Sequence, residues 1–165
     1  MTHSKLLKLA GPVNRQQRRQ NACLFEIDLK AMAQYTQKPE DSAAKCYEIV
    51  RGDDPPIGFI WLACSPDEDI PEHLNVHIEY VFVVPSERGG MVTWLADAVL
   101  DKLRSSLDSV DENSPIAIVN SSSQPVTQAG VKFVRRLNYV LKVFSQSNGF
   151  GFICDEVYTP DSDSI

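Results

Sequence analysis

Apolar and polar positions along the chain predict a series of alternating strands and helices. After the Gly11-Pro12 break, residues 13–37 contain neither Gly nor Pro. They are rich in helix formers, which predicts one or two helices. Residues 44–51 predict a strand, Gly52-Asp53-Asp54-Pro55 a turn, and residues 57–64 a second strand closing a hairpin. Pro, Asp and Glu make residues 65–74 a loop. The run 76–84 is apolar on both faces, as in a strand inside a sheet, and Pro85 ends it. From Gly90 to Leu107, Val92, Leu95, Ala96, Val99, Leu103 and Leu107 form a helical apolar stripe, with Thr93, Asp97, Asp101 and Arg104 opposite. A short buried strand is expected at 116–119 and a helix at 125–137. Residues 139–144 alternate as a strand, paired as a hairpin with 150–157 across Ser147-Asn148-Gly149. No internal repeat or low-complexity linker appears, so residues 1–165 are read as one domain mixing α and β elements.

Composition narrows the class. With 43% hydrophobic and 23% charged residues, the chain has the make-up of an ordinary globular protein large enough to bury a core. A net charge of −6 argues against general nucleic-acid binding, which needs a cationic surplus. Arg15, Arg18 and Arg19, beside Lys5 and Lys8, are expected to form a solvated helix face, and Asp155, Glu156, Asp161 and Asp163 a frayed acidic tail. Cys23, Cys46, Cys64 and Cys154 are irregularly spaced with no C-x-x-C pair, and read as reduced thiols. Lys8 and Gly11-Pro12 interrupt the apolar residues near the start, and no uncharged apolar run approaches the ~18 residues of a membrane span. A cytoplasmic protein with no membrane partner is expected.

The order of elements from residue 44 to 157 is similar to that of the GNAT N-acetyltransferase superfamily. Ile78-Glu79-Tyr80-Val81-Phe82-Val83-Val84-Pro85-Ser86-Glu87-Arg88-Gly89-Gly90 resembles that family's central strand running into its cofactor loop. Val131-Lys132-Phe133-Val134-Arg135-Arg136-Leu137-Asn138-Tyr139 resembles its later helix. The resemblance implies a mixed, mostly antiparallel sheet flanked by helices, with a parallel, splayed central strand pair. It also implies acetyl-CoA as co-substrate, an unidentified amine as acceptor, and no metal, and leaves a homodimer open. On it, Val83 and Val84 would pair with the pantetheine arm as if with another strand. Arg88, Gly89 and Gly90 would hold the pyrophosphate, the glycines letting backbone N–H groups approach closely at a helix start. The loop is one residue shorter than the family pattern after Arg88, which sets Val92 at its second small position.

Among residues that could do chemistry, strand alternation puts His77 and Glu79 on one face with Val81 and Val83. The resemblance makes Glu79 the base that takes a proton from the amine, and burial would tune it for that work. A structural reading, a partly exposed carboxylate bonded to a neighbouring strand, has equal standing. His77 is read as structural. His77-Ile78-Glu79 formally matches the H-x-E of zinc deaminases, but no Pro-Cys-x-x-Cys follows, which excludes that chemistry. Where the family often carries a tyrosine acid, this chain has Val134. Tyr139 is assigned to the core, and Ser121, Ser122 and Ser123 to a polar strand-to-helix loop. The expected function is N-acyl transfer from acetyl-CoA to an amine; the alternative is a non-catalytic GNAT-like acyl-CoA-binding or regulatory protein.

Overall fold

In the computed structural model, which describes residues 6–39, 43–108, 113–123, 125, 127–155 and 157, six strands form one sheet in the order of the chain. The first, β1 (Leu7–Ala10), has no counterpart in the sequence reading. Its signal was present, because Leu7 and Leu9 alternate with Lys8 and point inward, but the segment is only four residues long. Two short helices follow. In α1 (Arg15–Asn21) Asn14 and Gln17 form a reciprocal capping box, and in α2 (Leu29–Thr36) the Asp28 side chain accepts the Ala31 N–H.

The expected hairpin is β2 (Lys45–Arg51) and β3 (Gly58–Pro66), and β4 (His73–Val83) pairs antiparallel with β3. The loop expected at 65–74 is therefore shorter, since β3 extends to Pro66 and β4 begins at His73. Gly58 is required here: a Cβ on it would meet the Phe82 carbonyl oxygen at 2.1 Å. Next come a 3-10 turn (Pro85–Glu87) and α3 (Val92–Asp108), whose predicted stripe lies in the main core. Strand β5 (Ile118–Ser121) then pairs parallel with β4, as the crossover through α3 requires. The sheet is thus antiparallel from β1 to β4 and parallel beyond.

The end of the chain departs from expectation. Residues 139–144 are not a strand: α4 runs unbroken from Gln128 to Ser147. Tyr139-Val140-Leu141-Lys142-Val143-Phe144 has the β-branched and aromatic content of a strand, but Val134, Leu137, Val140 and Leu141 continue a helical stripe buried in the core. Tertiary packing overrides local preference. Without that strand there is no closing hairpin, and β6 (Gly151–Cys154) pairs parallel with β5. Successive right-handed crossovers advancing in one direction leave their helices on one face of the sheet. Both α3 and α4 accordingly pack over Leu74, Val76, Ile78 and Val119. The opposite face, under α1 and α2, is an aromatic cluster of Tyr35, Phe59, Trp61 and Phe82. Tyr139 is 58% exposed on α4 rather than in the core, because it lies on the helix's outer side. Of the acidic tail, Asp155 follows β6, while Glu156, Asp161 and Asp163 lie outside the described residues, as does Lys5 at the other end.

Arg18 corrects the reading of a solvated basic face. It is fully buried, its Nη1 donating to Tyr35 O at 2.6 Å and its guanidinium lying 4.7 Å from the Trp61 ring centre. One helical turn exposes Arg15 and Arg19 only in part or fully while directing Arg18 between α2 and the sheet. Deep beside it, Glu48 accepts the Tyr35 hydroxyl at 2.5 Å and the Asn21 amide at 3.0 Å. Burial, followed by that hydrogen bond to Glu48, holds the Tyr35 phenol well above its usual range.

The loop between β3 and β4 is organised by Asp67, whose carboxylate accepts the Asp69 and Ile70 N–H groups at 2.9 Å and the Asn75 amide at 2.7 Å. The Asn75 bond and then the two backbone bonds hold the Asp67 carboxyl below its ordinary range. A lowered folded-state pKa contributes stability that is present above the unfolded value, about 3.9, and lost as pH falls through the folded value. Asp67→Ala is therefore expected to lower the melting temperature near neutrality, with the difference from the parent chain shrinking toward zero in strong acid. A difference independent of pH, measured across the acid range, would contradict this.

Candidate functional site

The site forms where β4 and β5 part. Pairing between them covers only His73–Val76 against Ile118–Ser121. Ser122 N–H still reaches Val76 O at 3.1 Å, and Ile78 N–H goes not to a strand but to the Ser123 hydroxyl at 2.8 Å. Beyond this point, among the described residues, no strand pairs with β4 on its β5 side. Ser121 and Ser123 are buried rather than parts of an open polar loop. Ser123 caps the last paired amide of β4, and Ser121 Oγ donates to Asn138 Oδ1 at 2.6 Å, fixing β5 to α4. A Ser-rich segment gives no sequence signal for either contact.

A β-bulge sits at the same place. The register passes from Leu62 opposite Ile78 to Trp61 opposite Tyr80, so Glu79 is the extra residue on β4. This shifts side-chain alternation by one. Leu74, Val76 and Ile78 face the α3/α4 core, and after the bulge Val81 and Val83 do so, while Tyr80 and Phe82 turn to the aromatic face. His77 and Glu79 therefore do not share a face with Val81 and Val83, as plain alternation predicted. Glu79 is exposed rather than buried, and it forms an ion pair with Lys38, just beyond α2. Lys38 Nζ also lies 5.0 Å from the Trp61 ring centre. His77 is occupied by Ser122, its Nδ1 3.2 Å from the hydroxyl.

Val84 N–H donates to Ile57 O at 2.8 Å and Val84 O accepts Glu87 N–H at 2.9 Å, so both its backbone groups serve the sheet and the turn. Strand alternation then directs the backbone of Val83 and Val81 to the open edge. Arg88 folds back on this edge: its Nε donates to Val83 O at 2.6 Å, and its guanidinium lies 5.5 Å from the Phe82 ring centre. Gly89 and Gly90 follow at the surface. Gly90 has φ +66, a conformation that favours glycine, and a Cβ at either position would meet nothing within 4 Å. Leu95 N–H is the first to bond back into α3, to Met91 O at 2.9 Å, so the amides preceding it face the loop. An open strand edge thus leads to an unobstructed glycine pair at the start of a 17-residue helix, with an arginine between them. Such an arrangement suits an extended ligand with an amide-bearing arm and an anionic end.

The other polar groups suit chemistry less well. Burial pushes the Cys46 thiol up to about 12 and Cys64 to about 11, so neither supplies a thiolate near neutrality. Val134 is buried in α4 and offers no proton. A groove of about 560 Å³ between α3 and α4, lined by Leu100, Arg104, Tyr139 and Val143, lies on the helix layer away from the open edge. Among the described residues no three His, Cys, Asp or Glu side chains come together as a metal site. No described helix is long and apolar enough to cross a membrane.

No protein-family model matches this chain, and no curated protein does. Solved structures do match, at low similarity. A ribosomal-protein-alanine N-acetyltransferase from Brucella melitensis biovar Abortus 2308 has 19% identity and a TM-score of 0.42 over 60% of this chain and 71% of its own. The aminoglycoside 6'-N-acetyltransferase AAC(6')-Ih from Acinetobacter baumannii has 13% identity and a TM-score of 0.40 over 94% and 97%. AAC(6')-Iy, in complex with a CoA-S-monomethyl-acetylneamine bisubstrate analog, has 14% identity and a TM-score of 0.42 over 94% and 96%. All three of these distant neighbours are described as N-acetyltransferases.

Proposed function

We propose that this protein is a GNAT-type N-acyltransferase that carries an acetyl group from acetyl-CoA to an amine. The observation that supports it most is the parting of β4 and β5 directly ahead of the Gly89-Gly90 loop and α3. In this reading the pantetheine arm lies along the free edge of Val81 and Val83, and the backbone amides at Gly89, Gly90 and the start of α3 meet the pyrophosphate. Val84, its own groups spent, fixes the end of the strand. Arg88 leaves Val83 O as the arm arrives and turns its charge to the phosphates, so one residue guards the edge in the free protein and binds in the complex.

Glu79 stands beside the last capped amide of β4, where the thioester end of such a ligand would lie, and takes a proton from the incoming amine. No side chain is needed to protonate the departing thiolate, because a thiol's ordinary pKa of about 8.5 makes it a fair leaving group. A second reading, an acyl-CoA-binding protein without catalysis, draws on Val134 in place of the family's tyrosine and on Lys38 already paired with Glu79. Coenzyme A release measured with a panel of primary amines separates the two. Release above the rate of acetyl-CoA hydrolysis with at least one amine is expected; bound acetyl-CoA with no release on any amine would favour the second reading.

A further inference from the structure

The ion pair between Lys38 and Glu79 puts a primary amine of the chain itself against the carboxylate proposed to serve as base. Three features make the arrangement more than a surface contact. Lys38 lies over the Trp61 ring, which orients its ammonium toward β4. The chain leading to it is fixed, because buried Arg18 donates to Lys38 O at 3.2 Å. Glu79 occupies the bulge next to Ile78, whose amide marks the apex of the β4/β5 opening. The side chains of Lys38 and Glu79 retain 21% and 28% of their exposure, so the pair is partly open to solvent rather than sealed in the core.

We infer that Lys38 is an acetyl acceptor within the protein, modified by acetyl-CoA bound in its own cleft. The inference rests on the proposed acyl-CoA site. Glu79 takes a proton from the Lys38 ammonium, and the freed Nζ lone pair adds to the thioester carbonyl of acetyl-CoA. That addition forms the C–N bond and a tetrahedral adduct, whose collapse breaks the C–S bond; the nitrogen's second proton passes to the departing thiolate, giving coenzyme A and the neutral amide, and Glu79 returns its proton to solvent. The product amide carries no charge, so the ion pair and the cation–π contact with Trp61 are both lost. Glu79 is then released to a second, external amine. The modification would thus turn a self-occupied site into an open one.

The test incubates the full-length protein with acetyl-CoA and follows acetylation of each lysine by peptide mass mapping, alongside the melting temperature. Lys38 is expected to react about 10²-fold faster than exposed Lys30 and Lys132, the scale of a positioned general base. Its rate should be independent of protein concentration, as for a reaction within one chain. Lys38→Arg, which keeps a cation over Trp61, should remove the fast modification without altering the thermal shift caused by acetyl-CoA, and Glu79→Gln should slow Lys38 to the rate of the others. A thermal shift with Lys38 no faster than Lys30 and Lys132 overturns the inference and leaves the acyl-CoA site standing, as does a Lys38 rate that rises with protein concentration. Absence of any shift removes both.

Discussion

Glu79→Gln is expected to lower acetyl transfer to a confirmed amine acceptor by about 10²–10⁴-fold, the usual loss when a general base is removed. Affinity for acetyl-CoA should be nearly unchanged, because the groups proposed to hold the cofactor's anionic end lie at Arg88, Gly89 and Gly90, beyond the end of the strand. The amide is nearly isosteric and can still accept a hydrogen bond from Lys38, so the side chain keeps its place at the bulge. Folding should be little affected: an exposed ion pair is worth about 0–1 kcal/mol, and Glu79 and Lys38 are both partly solvated. The expected signature is a fall in kcat with the KM for acetyl-CoA held. Turnover at the parent level would make Glu79 only the structural partner of Lys38.

The sequence was most legible where one periodicity ruled a whole element. The apolar stripe from Val92 to Leu107 is α3, and the two-sided apolar run of β4 lies inside the sheet with β5 parallel beside it. It was misleading where two signals competed. Tyr139–Phe144 satisfies strand propensity and helical spacing together, and packing against α3 decides for the helix, which removes the closing hairpin. The site residues were legible as types and misplaced in detail for one reason, the extra residue at Glu79. A bulge is invisible to a period-2 reading, yet it shifts every later side chain on β4 to the opposite face. The contacts of Lys38, Ser123 and Arg18 were not legible because their partners are distant in sequence: Glu79 is 41 residues from Lys38, and Ile78 is 45 from Ser123. The Val83 and Val84 pair could not be divided from sequence either, since that depends on which backbone groups β3 consumes.

Acetyl-CoA binding tests the central claim most directly, since it needs no knowledge of the acceptor. A ligand that binds only the folded state stabilises it by about 2.7 kcal/mol at one hundred times its dissociation constant. For a chain of this size each kcal/mol corresponds to roughly 2–4 °C, so a rise of several degrees in melting temperature is expected. Arg88→Glu, which sets a carboxylate against the phosphates, should abolish most of that rise. Arg104→Glu changes the net charge equally but acts on α3 beside Phe144, away from the loop, and should preserve the rise. A melting temperature unmoved by acetyl-CoA, coenzyme A and longer acyl-CoAs at millimolar concentration would contradict the account and leave the β4/β5 opening without its proposed ligand.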